Sequence, residues 1–154
     1  MFNKELYDKY DLAGKQLLFK ILEPRGFELV DGFVERFKDC DIVVKNTDSG
    51  QKTKWDVEVK NSIQFEKVWS GEYKDIILNQ HRGSTNAKHF VIFSSAYDKM
   101  ILLKMEDIRI APTRFLTTSR GKEKFYTVDR KLGNYFEITY DQENNPQVRK
   151  VNII

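Results

Sequence analysis

Apolar positions recur at helical spacing from Asp11 to Leu22, where Leu12, Leu17, Leu18, Ile21 and Leu22 follow an N-cap residue and stop short of Pro24 and Gly26. This predicts a helix, which can continue an earlier turn around Leu6, Tyr7 and Tyr10. The period then changes. GFELV (26–30) and FVERF (33–37), separated by Asp31-Gly32, read as a strand pair or one bent strand. CDIVV (40–44) and KWDVEVK (54–60) are β-patterned, the second alternating almost without interruption, and Asn46 to Lys52 between them is rich in turn formers. Tyr73, Ile76, Ile77 and Gln80 are spaced i, i+3, i+4 and i+7 ahead of Gly83, which predicts a second helix over 72–82. HFVIFSS (89–95) is the short continuous apolar run of a buried central strand, and MILLK (100–104) predicts another. Beyond Pro112, KFYTV (124–128), YFEITY (135–140) and a weaker final VRKVNII are strand-like, with Gly133-Asn134 turning between the first two. Helix, three strands, helix, strand and further strands describe one α/β domain over 1–154 with a mixed sheet. Its core spans about 11–110, and a β extension follows over about 111–154.

The composition narrows the class. A chain of 154 residues, 40% hydrophobic and 32% charged, can bury a core without a disulfide or a structural metal. Its single cysteine, Cys40, excludes an intrachain disulfide and a Cys-rich zinc module and points to a reducing, cytoplasmic setting. Two histidines, His81 and His89, leave little for a His-based metal site. No apolar run approaches the roughly 20 residues of a membrane span, and the N-terminal MFNKELYDKYD is too charged for a secretory signal, so no membrane partner is expected. The net charge of +3 does not announce a nucleic-acid binder, but its distribution is uneven. Residues 109–154 carry nine Lys and Arg against five acids. That basic third can sit against phosphates, although an ordinary solvated surface accounts for the charge equally well.

The chemistry concentrates in Asp39-Cys40-Asp41 and in Trp55 to Lys60. In a hairpin turning at Ser49-Gly50, Asp41 would face Glu58 and Asp39 would face Lys60. Alternation would then put Asp39, Asp41, Asp56, Glu58 and Lys60 on one side, with Cys40, Ile42, Val44, Trp55, Val57 and Val59 on the other. The register is an assumption, because a bulge in the turn would shift it. Opposed carboxylates repel, and a hard divalent cation offsets that repulsion; Mg²⁺ is commonly held by one or two carboxylates, waters and a substrate phosphate. A lysine on the same face can assist the attacking water or stabilise charge on the phosphate. A charged solvent face on a hairpin has the same pattern. Ser94-Ser95 lacks a nucleophile-elbow context, and the chain has no Gly-rich phosphate loop.

The helix AGKQLLFKIL, the following RGFELV, the aspartate of CDIVV, the Glu and Lys of VEVK, a second helix and the strand HFVIF together resemble the PD-(D/E)xK nuclease superfamily. The resemblance covers about residues 11–95 and is nearest to small Holliday-junction-resolvase-like or restriction-type members. It implies a restriction-endonuclease-like αβββαβ core with extra C-terminal strands, and Mg²⁺- or Mn²⁺-dependent hydrolysis of phosphodiester bonds in DNA, RNA remaining open. Carried over residue by residue, it makes Asp41 and Glu58 metal ligands, Lys60 catalytic and the Val59 carbonyl a further ligand. Some members place a functional glutamine after the Glu-x-Lys strand, which suggests Gln80 here, with a helix-end amide as the structural alternative. Arg82, Arg114, Arg120, Lys122 and Lys124 are candidate nucleic-acid contacts. Cys40 stands where the family often has proline, and Lys15 and Gln16 stand where many resolvase-like members carry a glutamate. The alternative is a catalytically silent domain of the same fold that binds nucleic acid or a protein partner. By analogy, a homodimer joined through the strands beyond 112 would supply two cutting sites.

Overall fold

The computed structural model describes residues 4–30, 32, 40–80, 83 and 85–153, with side chains described from Asp11 onward. The segment FVERF, Asp39, His81 and Arg82 lie outside the described residues. The first helix is longer than its strongest apolar pattern: α1 runs over Lys4–Leu22, and Leu17, Leu18, Ile21 and Leu22 are buried. Burying each such side chain contributes roughly 1.5–3 kcal/mol. A short 3₁₀ turn at Glu23–Arg25 closes on Gly26, whose φ of 91° is one that glycine adopts without strain.

Three strands follow as an antiparallel meander: β1 (Phe27–Leu29), β2 (Ile42–Asn46) and β3 (Lys52–Lys60). Next come α2 (Ser62–Trp69) and β4 (Asp75–Asn79), then β5 (His89–Ser94), which pairs parallel to β3. The chain continues through β6 (Lys99–Lys104), α3 (Met105–Arg109), β7 (Thr113–Thr118), β8 (Gly121–Asp129), β9 (Asn134–Tyr140) and β10 (Pro146–Val151). The main sheet has the order β1-β2-β3-β5-β6-β9-β10, and a smaller sheet has the order β4-β8-β7. Among the described residues only the β3–β5 pairing is parallel, so the mixed α/β reading of the sequence holds.

Alternation along β3 divides the molecule. Trp55 and Val57 join Leu17, Leu18, Ile21, Val91 and Phe93 in a core on the α1 side of the sheet. Gly14 allows that helix to approach closely, since a Cβ there would stand 3.1 Å from Val57 Cγ1 and 3.3 Å from Val59 Cγ2. On the opposite face Phe90, Ile92, Ile101 and Leu103 pack beneath Phe65 and Val68 of α2, Ile76 and Leu78 of β4, Met105 and Ile108 of α3, and Val128 of β8. Asp56, Glu58 and Lys60 alternate onto this second face.

The helix expected over 72–82 is instead strand β4, and α2 lies ten residues earlier. Asn61 caps α2 by accepting the Gln64 N–H at 3.0 Å, and Phe65 and Val68 form its buried stripe. In β4 the buried residues are Ile76 and Leu78, a period of two that packs the β-branched run against β8. The spacing of Tyr73, Ile76, Ile77 and Gln80 therefore did not mark a helix face. Arg130, itself buried, ties α2 to the end of β8: Nε donates to the Val68 carbonyl and an Nη to the Trp69 carbonyl, each at 2.8 Å. A guanidinium suits a helix C-terminus because it meets unsatisfied carbonyls and the negative end of the dipole.

Candidate active site

The β2–β3 turn is tighter than the sequence suggested. Asn46 Oδ1 accepts the Asp48 and Ser49 N–H groups at 2.9 and 3.0 Å, and the Asn46 N–H donates to the Gln51 carbonyl. The resulting ladder pairs Ile42 with Trp55, two residues from the assumed register. The paired positions end at Ile42↔Trp55, and the Asp41 N–H donates to the carbonyl of the same Trp55, so Asp41 is not paired with Glu58 as assumed. A shift of two preserves the face of every side chain in the ladder.

The ladder stops at Ile42 because the chain bends at Asp41. Cys40 consequently packs with Val43, Phe90 and Ala87, on the face opposite to the one expected for it. The Asp41 N–H lies 3.1 Å from both the Trp55 carbonyl and Asp56 Oδ1. Its carboxylate turns back to the sheet edge, where Oδ2 accepts the Val57 N–H at 2.8 Å. Trp55 and Val57 therefore direct their backbone polar groups towards the β2 side, and strand alternation aims the Val59 carbonyl to the same edge. Val59 keeps its side chain in the α1-side core.

Asp56 is 1% exposed. A carboxylate buried this deeply needs donors, and besides the Asp41 N–H it receives the Thr85 hydroxyl on Oδ2 at 2.6 Å. Arg109 holds the loop that delivers Thr85: Nε donates to the Gly83 carbonyl at 3.2 Å and an Nη to the Thr85 carbonyl at 2.6 Å. Neither Thr85 nor Arg109 was singled out by the sequence, since the loop that joins them to Asp56 exists only in the folded chain.

Lys60 and Glu58 meet on this face, with Nζ 3.7 Å from Glu58 Oε1. The ammonium is also fixed by the Ile77 carbonyl of β4, which accepts from it at 3.1 Å. The side chains retain 25% exposure for Glu58 and 13% for Lys60, enough for a surface ligand to reach them from one side. Gln80 directly follows β4, exposed and in a 3₁₀ turn of helix rather than in the α-helix expected over 72–82. Arg114, Lys122 and Lys124 lie on the β7–β8 hairpin, and Arg120 lies in its turn.

The first helix packs over the odd residues of β3, so α1 lies across the sheet from Glu58. Lys15, at the position where the resemblance suggests a glutamate, is buried and paired with Asp11 at 2.9 Å. Among the described residues no group of three His, Cys, Asp or Glu side chains converges into a ready metal cage. The donors that the resemblance names, the Asp41 and Glu58 carboxylates and the Val59 carbonyl, are oxygen donors of the kind a hard cation takes. Among the described residues no helix is long and apolar enough to cross a membrane. Compared with protein-family models, curated proteins and solved structures, the chain matches none.

Proposed function

We propose that this chain is a divalent-metal-dependent nuclease that hydrolyses phosphodiester bonds in DNA. The observation that carries the reading is the clustering of Glu58 and Lys60. A β4 carbonyl holds the ammonium 3.7 Å from the carboxylate, and the Asp41 carboxylate accepts the Val57 N–H of the same strand. The strand order β1-β2-β3-β5 adds support, as do α1 and α2 on opposite faces, because this is the αβββαβ order that the resemblance implies. Strand β4, inserted between α2 and β5, is an addition to that order.

In this reading Asp41 and Glu58 hold Mg²⁺ or Mn²⁺, with the Val59 carbonyl as a further ligand. The bound ion supplies charge neutralisation at the phosphate and lowers the pKa of water. Lys60 contributes a positive charge fixed before substrate arrives, so it stabilises the developing charge on phosphate oxygens without reorganising. Asp56 holds the bend at Asp41 and does not face substrate. Gln80 and the basic hairpin residues serve as contacts to the nucleic acid.

A second reading, a catalytically silent domain that binds nucleic acid or a protein, is favoured by one observation: Asp41 Oδ2 is already occupied by the Val57 N–H. The two readings separate in one experiment. Plasmid, branched DNA and single strands are incubated with Mg²⁺ or Mn²⁺ and with the chain or its Asp41→Asn, Glu58→Gln and Lys60→Ala variants. The nuclease reading expects metal-dependent cleavage by the parent alone. Equal cleavage by all four proteins identifies a contaminant, and cleavage by none removes the enzymatic reading for these substrates.

A further inference from the structure

The small sheet is unequal in length. Strand β4 pairs with β8 only from Asp75↔Asp129 to Asn79↔Phe125, whereas β7 and β8 pair onward to Thr118↔Gly121. Among the described residues the hairpin beyond Phe125 is therefore a two-stranded arm, paired with no third strand. Such a ribbon is marginal on its own and needs a fixed turn. Thr118 provides it, with its hydroxyl 2.6 Å from Glu123 Oε2 and its Oγ1 accepting the Arg120 N–H at 3.1 Å. The carboxylate of Glu123 is thereby drawn into the turn.

The register assigns each side chain to a face. Phe115 is opposite Lys124, Thr117 is opposite Lys122 and Thr113 is opposite Tyr126, so these six share one side. Lys122 lies with Nζ 5.7 Å from the centroid of the Phe115 ring, and that ring is 60% exposed. This side carries two ammonium groups and an exposed aromatic with no acid, while Arg114 and Glu123 point the other way. At its base the same side runs into the candidate site. Tyr126 presses against Gly83, where a Cβ would stand 2.4 Å from the tyrosine hydroxyl oxygen, and Gly83 belongs to the loop that carries Thr85 to Asp56.

We infer that the β7–β8 arm is a duplex-DNA grip, in which Lys122 and Lys124 bind backbone phosphates and Phe115 supports the Lys122 stem against the groove wall. The inference rests on the nuclease reading for its substrate class and deepens it by naming the surface that holds the duplex beside Glu58 and Lys60. Charge selects the occupant, since an acid-free pair of lysines complements a polyanion. Shape selects the form: a two-stranded ribbon fits the major groove of B-DNA, about 12 Å wide, while the major groove of A-form RNA is too narrow for side chains to read.

Binding of the full chain to a fluorescent DNA duplex is measured by anisotropy in EDTA across a salt series, so that hydrolysis plays no part. Replacing both lysines, Lys122→Ala with Lys124→Ala, is expected to weaken binding and to make the log–log salt slope shallower by about 2, one unit per lost phosphate contact. Phe115→Ala is expected to weaken binding with the slope unchanged, because it removes no charge. The arginine pair Lys122→Arg with Lys124→Arg is expected to restore the parental slope, and thermal melts confirm that each variant is folded. An unchanged slope in the alanine pair overturns the inference. So does the absence of duplex binding at low salt, or equal displacement of the duplex by double-stranded RNA or by an acidic polypeptide. A chain that binds through the arm but cleaves nothing with Mg²⁺ upholds the arm and removes the nuclease reading. Cleavage that persists with an unchanged slope does the reverse.

Discussion

Asp41 and Asp56 divide two tasks across the bend at the end of β2: the Asp41 N–H reaches Asp56 Oδ1 at 3.1 Å, while the Asp41 carboxylate reaches over Asp56 to the next strand amide, Val57, at 2.8 Å. One aspartate is enclosed and supports the backbone. The other lies at the bend, where one carboxylate oxygen accepts the Val57 N–H of β3. Such a division makes stability and chemistry separable by substitution.

Asp41→Asn keeps an oxygen acceptor for the Val57 N–H, so it is expected to melt close to the parent and to lose metal-dependent cleavage. Asp41→Ala removes the acceptor as well and is expected to cost a further 1–3 kcal/mol or so, the usual penalty for an unsatisfied buried amide. Urea unfolding of both variants beside a cleavage assay reads the split. A full loss of stability in Asp41→Asn would mean that the charge itself, rather than the acceptor, supports the bend.

Thr85→Val keeps the shape of the side chain but removes the hydroxyl that serves Asp56 Oδ2 at 2.6 Å. A buried carboxylate oxygen then loses its donor, with an expected cost of about 1–3 kcal/mol. Thr85→Ser is expected to recover most of it. Denaturant midpoints measure both, and equal midpoints for Val and Ser would show that the bond contributes nothing.

Arg130→Met removes the clasp between α2 and the β8 end while retaining much of the apolar stem. Two hydrogen bonds from a charged donor to the Val68 and Trp69 carbonyls are lost, each worth about 1.5–3 kcal/mol. Tyr135, whose hydroxyl donates to the Arg130 carbonyl at 2.6 Å, is pushed by burial to a pKa of about 12. Its hydroxyl therefore stays protonated throughout the neutral range. The variant is expected to lower the melting temperature by several degrees, read by circular dichroism, and an unchanged melt would contradict the clasp.

His89 packs on Trp55 with ring centroids 4.4 Å apart and planes tilted by 36°. Its pKa lies below the ordinary 6.5 because burial disfavours the cation, with the charges of Lys88 and Lys104 adding to the effect. Between that lowered value and 6.5 the unfolded chain binds more protons than the folded one, so folding stability rises with pH through this window and falls on acidification. His89→Phe preserves the ring contact and removes the titration. The difference in unfolding free energy between parent and variant is expected to change as pH drops below 6.5 and to be flat above it; a flat difference throughout would exclude the linkage.

Replacing Gly83 by alanine drives a Cβ towards Tyr126, to 2.4 Å from its hydroxyl oxygen and 2.8–2.9 Å from its ring. Either the loop or the base of the arm has to shift. The expected result is a loss of stability together with altered tyrosine fluorescence, and neither change would appear if the contact were slack.

Local pattern alone determined much of this chain. Alternation along KWDVEVK fixes that Asp56, Glu58 and Lys60 share a face and that Trp55, Val57 and Val59 do not, because side chains reverse with every residue of a strand. The apolar run HFVIF is a central strand because only a strand covered on both faces tolerates it. The β4 segment was misread for the reason that three apolar residues, Ile76, Ile77 and Leu78, between Asp75 and Asn79 satisfy both periods over so short a span, and pairing with β8 decides between them. The register of β2 on β3 depended on the number of residues in the Asn46–Gln51 turn, which side-chain hydrogen bonds set and hydrophobicity does not report. The Thr85 hydroxyl reaches Asp56 from 29 residues away, the Ile77 carbonyl reaches Lys60 from 17, and Arg109 staples Thr85 from 24. Such long-range contacts follow from how β4 and its loop lie over β3, and only tertiary packing specifies that.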